Sequence, residues 1–171
     1  MNRQVCSYSF INVCILVFNL PIYNPLGLRK DDVVIVHHNV FRRWHNVKGV
    51  EKNSRDYIGN NLYSANQGQV FAYKKDNEWK ALPGYCFVQP IKSGDNFNIN
   101  KEKPLIGIVK YISDDINSIK TNDTIGFIPH SEYEFILSGK RLYRVLTKFI
   151  TIKYEYKGNK KEYNPSWAQS G

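Results

Sequence analysis

The clearest pattern along the chain is an alternation of apolar and polar side chains in its last third. In Ile150-Thr151-Ile152-Lys153-Tyr154-Glu155-Tyr156 every second residue is apolar. Successive side chains of a strand point to opposite faces, so Ile150, Ile152, Tyr154 and Tyr156 are expected on one half-buried face, with Thr151, Lys153 and Glu155 on the other. Upstream, Thr124-Ile125-Gly126-Phe127-Ile128 is a short apolar run between the polar turn Lys120-Thr121-Asn122-Asp123 and Pro129. Between these segments, residues 133–137 and 141–146 flank Ser138-Gly139-Lys140, which predicts a hairpin.

The same design occurs earlier. Asp31-Asp32-Val33-Val34-Ile35-Val36 mirrors Asn122-Asp123-Thr124-Ile125-Gly126-Phe127. Leu62-Tyr63 followed by Val70 mirrors Leu142-Tyr143 followed by Ile150 at equal spacing. An imperfect repeat of one β unit accounts for both matches, and two copies are too few for a solenoid. A paired or tandem β-barrel is the expected arrangement.

Further strands are expected at residues 12–18, 33–36, 62–63, 69–73, 85–91 and 105–111. Leu20-Pro21-Ile22-Tyr23-Asn24-Pro25-Leu26-Gly27 is a turn-rich connector with two prolines. Residues 42–61 lose apolar content and read as a long exposed loop or extended hairpin. Residues 92–104 form a polar, glycine-bearing loop. The implied organisation is an N-terminal strand or extension at 1–27, a degenerate barrel half with a long basic loop at 28–80, a small barrel at 81–157 and a polar tail at 158–171. No stretch carries convincing apolar spacing of a helix, and aromatic residues make up 14% of the chain, so the fold class is all-β. With 171 residues the chain has length enough for a core without staples.

Charge sharpens this picture. The formal net charge is +9. Residues 140–161 carry Lys140, Arg141, Arg144, Lys148, Lys153, Lys157, Lys160 and Lys161 against Glu155 alone. Such a face suits nucleic acid, an anionic membrane or an acidic protein, or is a solvated strand face protected by lysines. The three cysteines, Cys6, Cys14 and Cys86, sit among apolar residues with no tight spacing, and read as buried free thiols of a reducing cytoplasm. Residues 10–20 are apolar behind Arg3, as in a signal peptide. Asn12 and Asn19 interrupt them and no small-x-small site follows, so a buried opening strand is expected, with no membrane span.

Chemistry finds little purchase. His37, His38, His45 and His130 lack metal-ligand spacing, and adjacent His37 and His38 on a strand face opposite ways. Asp31-Asp32 and Asp114-Asp115 stand where turns begin, which aspartate favours for its own backbone bonds. There is no nucleophile elbow and no phosphate-cradling glycine motif. No catalytic residue, metal site or cofactor is expected, and the chain is read as a non-enzyme. Arg42, Arg43, Trp44, Lys48, Lys52 and Arg55 are the exception: cations interleaved with an aromatic suit single-stranded nucleic acid or a protein interface.

Residues 82–156 resemble the GroES family of 10-kDa co-chaperonins. Tyr85-Cys86-Phe87-Val88-Gln89-Pro90-Ile91 is similar to the family's opening strand, and Lys103-Pro104-Leu105-Ile106-Gly107-Ile108-Val109 to its "Lys-Pro-x-x-Gly-x-Val" strand. Ile119-Lys120-Thr121-Asn122-Asp123-Thr124-Ile125 is similar to "Val-Lys-x-Gly-Asp-x-Val", with Asn122 in the glycine position. Ser138-Gly139-Lys140-Arg141-Leu142-Tyr143 and Phe149-Ile150-Thr151-Ile152 are similar to its polar hairpin and final strand. The resemblance covers under half the chain, and the length and Asn- and Tyr-rich composition resemble bacteriophage-encoded members, which assist capsid-protein folding.

The resemblance implies a small β-barrel, a homo-oligomeric ring and a chaperonin (GroEL-like) partner in the cytoplasm, or host cytoplasm. The family's docking loop between the first two strands carries an aliphatic triplet. Residues 92–103 have none, and alternating Phe97 and Ile99 are expected to substitute for it. The alternatives are a nucleic-acid-binding barrel that uses residues 42–55, and a structural subunit of a viral or other large assembly.

Overall fold

The computed structural model describes residues 13–17, 19–93, 102–155 and 162–166. The chain divides into two compact units, one of residues 12–79 and the other from residue 80 onward. Every extended element among the described residues is antiparallel, and the helical pieces are 3-10 turns of three or four residues. The fold is all-β.

The first unit contains β1 (Val13–Leu16), β2 (Val33–Val36), β7 (Val70–Lys75) and β8 (Glu78–Ala81), hydrogen-bonded in the order β1-β2-β7-β8. The chain crosses from one unit to the other within β8. Between β2 and β7 stand two small hairpins: β3 (Arg43–His45) with β4 (Glu51–Asn53), and β5 (Tyr57–Gly59) with β6 (Leu62–Tyr63). Residues 42–61, expected as a long exposed loop or an extended hairpin, thus contain two short hairpins. Val34, Ile35, Val36, Val70, Phe71 and Ala72 are buried, so β2 and β7 are covered on both faces.

The second unit is one sheet, with β9 (Tyr85–Lys92), β10 (Glu102–Ile112), β11 (Thr124–Phe127), β12 (Glu132–Leu137), β13 (Lys140–Leu146) and β14 (Ile150–Tyr154) in the order β12-β13-β9-β10-β11-β14. On one face Cys86, Val88, Val109, Ile119, Ile125, Phe127 and Val145 form a buried cluster. Burial pushes the Cys86 thiol up to about 12, so it is a small apolar side chain rather than a nucleophile. The opposite face buries Phe87, Phe135 and Leu142, with Phe87 and Phe135 edge to face at 5.6 Å.

Two expectations fail here. The sheet is open: among the described residues β12 and β14 each pair on one side only, so it has two edges and no barrel closes. The alternating face of β14 is also not half-buried, since Ile152 and Tyr154 are exposed. Ile152 lies opposite Gly126, which offers no side chain to pack against. Alternation records which residues share a face, and an edge strand leaves that face uncovered. Tyr154 lies close over Gly126 instead, its ring 3.3 Å from where a Cβ would stand.

The two units share one arrangement of backbone bonds. β1-β2-β7 corresponds to β10-β11-β14. In each, the second strand meets the third with a register break at its last residue: Ile35↔Ala72 then Val36↔Val70, and Gly126↔Ile152 then Phe127↔Ile150. Val17 N–H donates to Asp32 O, and Val109 N–H to Asp123 O, both at 2.8 Å. Arg29 N–H donates to Asp32 Oδ2, and Lys120 N–H to Asp123 Oδ2, both at 2.7 Å. Asp31 and Asn122 each take φ of 72°, the left-handed conformation that aspartate and asparagine tolerate. A 3-10 turn precedes the third strand in both, and His37 N–H bonds Gln69 O as Ile128 N–H bonds Phe149 O. The Asp31-Asp32 and Asn122-Asp123 turns that suggested a repeat are thus equivalent in geometry.

Candidate functional site

Two places in the fold hold side chains beyond what packing requires. The first is the base of the connection between β9 and β10. Lys92 pairs with Glu102, so β9 ends and β10 begins at the same rung of the ladder. Glu102 is then fixed from two sides. Arg141 Nη1 donates to Glu102 Oε2 at 2.6 Å, and the Tyr143 hydroxyl donates to Glu102 Oε1 at 2.5 Å. Arg141 Nη2 also bonds Glu134 Oε2 at 3.1 Å and Tyr143 Oη at 2.6 Å. Burial, then the neighbouring Glu102, pushes the Tyr143 phenol well above its ordinary value, so the hydroxyl keeps its proton and remains a donor.

The strand register explains this cluster. Glu134 stands opposite Tyr143 and Ile136 opposite Arg141, which puts Glu134 and Tyr143 on one face with Arg141. Below it, Asn164 accepts from Arg141 N–H and donates to Gly139 O, while Tyr163 N–H bonds Pro90 O. Glu162 pairs with Ile91 and forms an ion pair with Lys110. The C-terminal segment thus straps the same end of the sheet. Phe97 and Ile99, the expected docking residues, lie outside the described residues.

The second place is the β3–β4 hairpin. Its turn is built by Asn46, whose Oδ1 accepts from Lys48 N–H at 2.9 Å and Val50 N–H at 3.0 Å. Gly49 closes it with φ of 73°. Trp44 pairs with Lys52, and Arg43 with Asn53. Alternation therefore places Arg42, Trp44, Val50 and Lys52 on one face, with Arg43, His45 and Glu51 on the other. Arg43 reaches Glu51 at 3.8 Å and the Tyr63 hydroxyl at 3.4 Å, so the second face turns towards β6. On the first face the Arg42 guanidinium lies 5.9 Å from the Trp44 ring centre, and Trp44 is 42% exposed. Val47 at the tip is fully exposed. The structure brings Arg42, Trp44 and Lys52 together. Lys48 sits at the turn, while Arg43 and Arg55 stand outside that face.

The remaining candidates resolve into structural roles. The run of cations from residue 140 is no single positive face, because Arg141 lies among carboxylates and Lys153 bonds Asp123 at 2.6 Å. Arg144 lies between the rings of Tyr85 and Tyr133, 5.3 and 5.2 Å from their centres. His37 and His38 do not face opposite ways. β2 ends at Val36 and the chain enters a 3-10 turn, where strand alternation no longer applies, and the two rings stack at 4.5 Å. Asp32 closes its turn as aspartate does, Asp114 pairs with Lys80 at 3.1 Å, and Asp115 accepts from Ser113.

The Glu102 cluster is the part that sequence reading missed. Glu102 and Arg141 are far apart in the chain, and they meet because β13 pairs with β9 across the strand order. No local spacing records that crossover. Among the described residues there is no helix long and apolar enough to cross a membrane. A scan against protein-family models and a search of curated proteins both return no match for this sequence.

Proposed function

We propose that the protein acts as a GroES-like co-chaperonin, a non-enzymatic partner that contacts a chaperonin ring through the segment between β9 and β10. The observation that carries this reading is the construction of that segment's base. Its two ends are paired at Lys92 and Glu102, and Glu102 is held by Arg141 and Tyr143. In the same sheet, the tight turn Ser138–Gly139 suffices to join β12 to β13. A firmly held base lets the sequence between these ends bind a partner without loosening the sheet beneath it.

The order of strands β9, β10 and β11, the β12–β13 hairpin and β14 falls on the residues that carry the resemblance, which supports the reading further. Binding through one short apolar contact is weak alone. Several copies in a ring restore affinity while leaving each contact reversible. Phe97 and Ile99 supply the apolar contacts, and the clients include capsid protein if the gene is viral.

Two measurements test this. Native mass spectrometry should show a closed oligomer, and a monomer at micromolar concentration counts against the ring. A chaperonin ring with ATP should retain the protein on a sizing column, and the double change Phe97→Ser and Ile99→Ser should abolish retention. Unchanged retention refutes the assigned contact.

A further inference from the structure

We infer that the outward face of the β3–β4 hairpin is a binding site for single-stranded nucleic acid, independent of the co-chaperonin reading. The correspondence between the two units marks this hairpin as an addition. After β11 the chain reaches β12 through residues 128–131, whereas after β2 it takes residues 37–56 to reach β5. The backbone bonds common to both units are made without it. The second unit forms the same strand arrangement with no such hairpin, so the fold does not require one.

What the addition presents is chemically one-sided. Residues 42–55 hold five cations and one carboxylate, Glu51. Glu51 sits on the inward face and pairs with Arg43 there. The outward face keeps only positive charge: Arg42 and Lys52 flank Trp44, and Lys48 extends from the tip. All four side chains are exposed. The Asn46 bonds hold the turn in shape before any partner arrives, which reduces the ordering cost of binding.

A planar indole between cations matches a base flanked by phosphates, with ring stacked on base and charge set against the backbone. An acidic protein would satisfy the cations but offers no repeating planar group for the ring. The same hairpin of a second copy is a poor occupant, because it would set like cations against these. Exposed Val50 on the same face gives apolar contact to sugar or base edge.

The test uses the full-length protein and a fluorescein-labelled oligo(dT) of roughly thirty nucleotides, followed by anisotropy. Binding should weaken with salt at a log–log slope of about −2, as three phosphate contacts on a single strand require. Trp44→Ala should weaken binding roughly ten-fold or more. Arg42→Ala with Lys52→Ala should bring the slope close to −1. Lys140→Ala with Lys148→Ala, two exposed cations of the other unit, should change neither quantity. All the changed residues are exposed, and matching circular dichroism confirms folding. No binding at low salt overturns the proposal, as does binding indifferent to Trp44. Competition by poly-glutamate as effective as by unlabelled oligo(dT) also overturns it, and points instead to an acidic protein partner.

Discussion

Arg141 is the residue on which the end of the second sheet turns. It is 14% exposed and satisfies two carboxylates at once, while its own backbone N–H is capped by Asn164. Arg141→Met keeps much of the side-chain volume and strands Glu102 and Glu134 beside each other. Removing one partner of a partly buried charged pair should cost about 2 kcal/mol in urea unfolding. Adding Glu102→Gln and Glu134→Gln should recover part of that loss. A triple variant no more stable than Arg141→Met would mean the charges are not what the arginine holds. Asp123 makes a second prediction at this scale. Burial alone would raise its carboxyl, but the bonds from Lys153 Nζ and Lys120 N–H outweigh it and hold the group below its ordinary value. A carboxyl depressed in the fold stabilises fully above its unfolded value near 4, and that contribution disappears as pH falls through the folded value. Asp123→Asn should therefore lower the melting temperature at pH 7, and the gap to the parent should close in acid. A gap that persists at about pH 2 would assign the effect to geometry rather than charge.

Among the elements, the β9–β10 pair leaves no room for a side chain at Gly107. A Cβ on Gly107 would stand 3.0 Å from both Gln89 O and Val88 Cβ. The first of these is backbone within a ladder and cannot swing away. Gly107→Ala should cost about 1–3 kcal/mol, read from the unfolding midpoint, whereas a neutral result would show that the ladder yields. The same glycine was visible in the sequence as part of the Lys103–Val109 run, and its strand was placed correctly. Most strands were legible because short Val, Ile and aromatic runs stop at Asn, Asp, Gly and Pro, while β5 and β8, of three and four residues, did not stand out. Turn chemistry was legible too, down to the asparagine at 122. Two things were not. Whether a sheet closes depends on twist and on which edges meet, which no single strand records, so the open sheet could not be foreseen. The exposed face of β14 was hidden for a related reason: Ile152 reads as a core residue until Gly126 is seen opposite it. Of the candidate site, the sequence marked Arg42, Trp44 and Lys52 by type, but only the β3–β4 register shows that Glu51 faces away from them. The grip of Arg141 and Tyr143 on Glu102 depends on strand order and had no local trace.

For the whole molecule, the correspondence of the two units predicts what can be removed. Arg43 and Asn53 are paired neighbours, so excising residues 43–53 and joining the ends with a short glycine link leaves little gap to close. The shortened protein should unfold within about 1 kcal/mol of the parent, and it should lose oligo(dT) binding. Collapse of the fold would show that the hairpin carries structure after all. The correspondence also bears on how the chain reaches its native state. Two segments that obey the same hydrogen-bonding plan, joined on one chain, invite a strand of one to settle in the slot of the other, a recognised hazard of repeated architectures. The slots are kept distinct by their occupants. Val33-Val34-Ile35-Val36 fills its place with β-branched bulk, whereas Thr124-Ile125-Gly126-Phe127 leaves a notch at the glycine that Tyr154 fills. Divergence between the halves therefore acts as a proofreading device during assembly, and making the two segments more alike would favour tangled, mispaired chains even where each half alone gained stability.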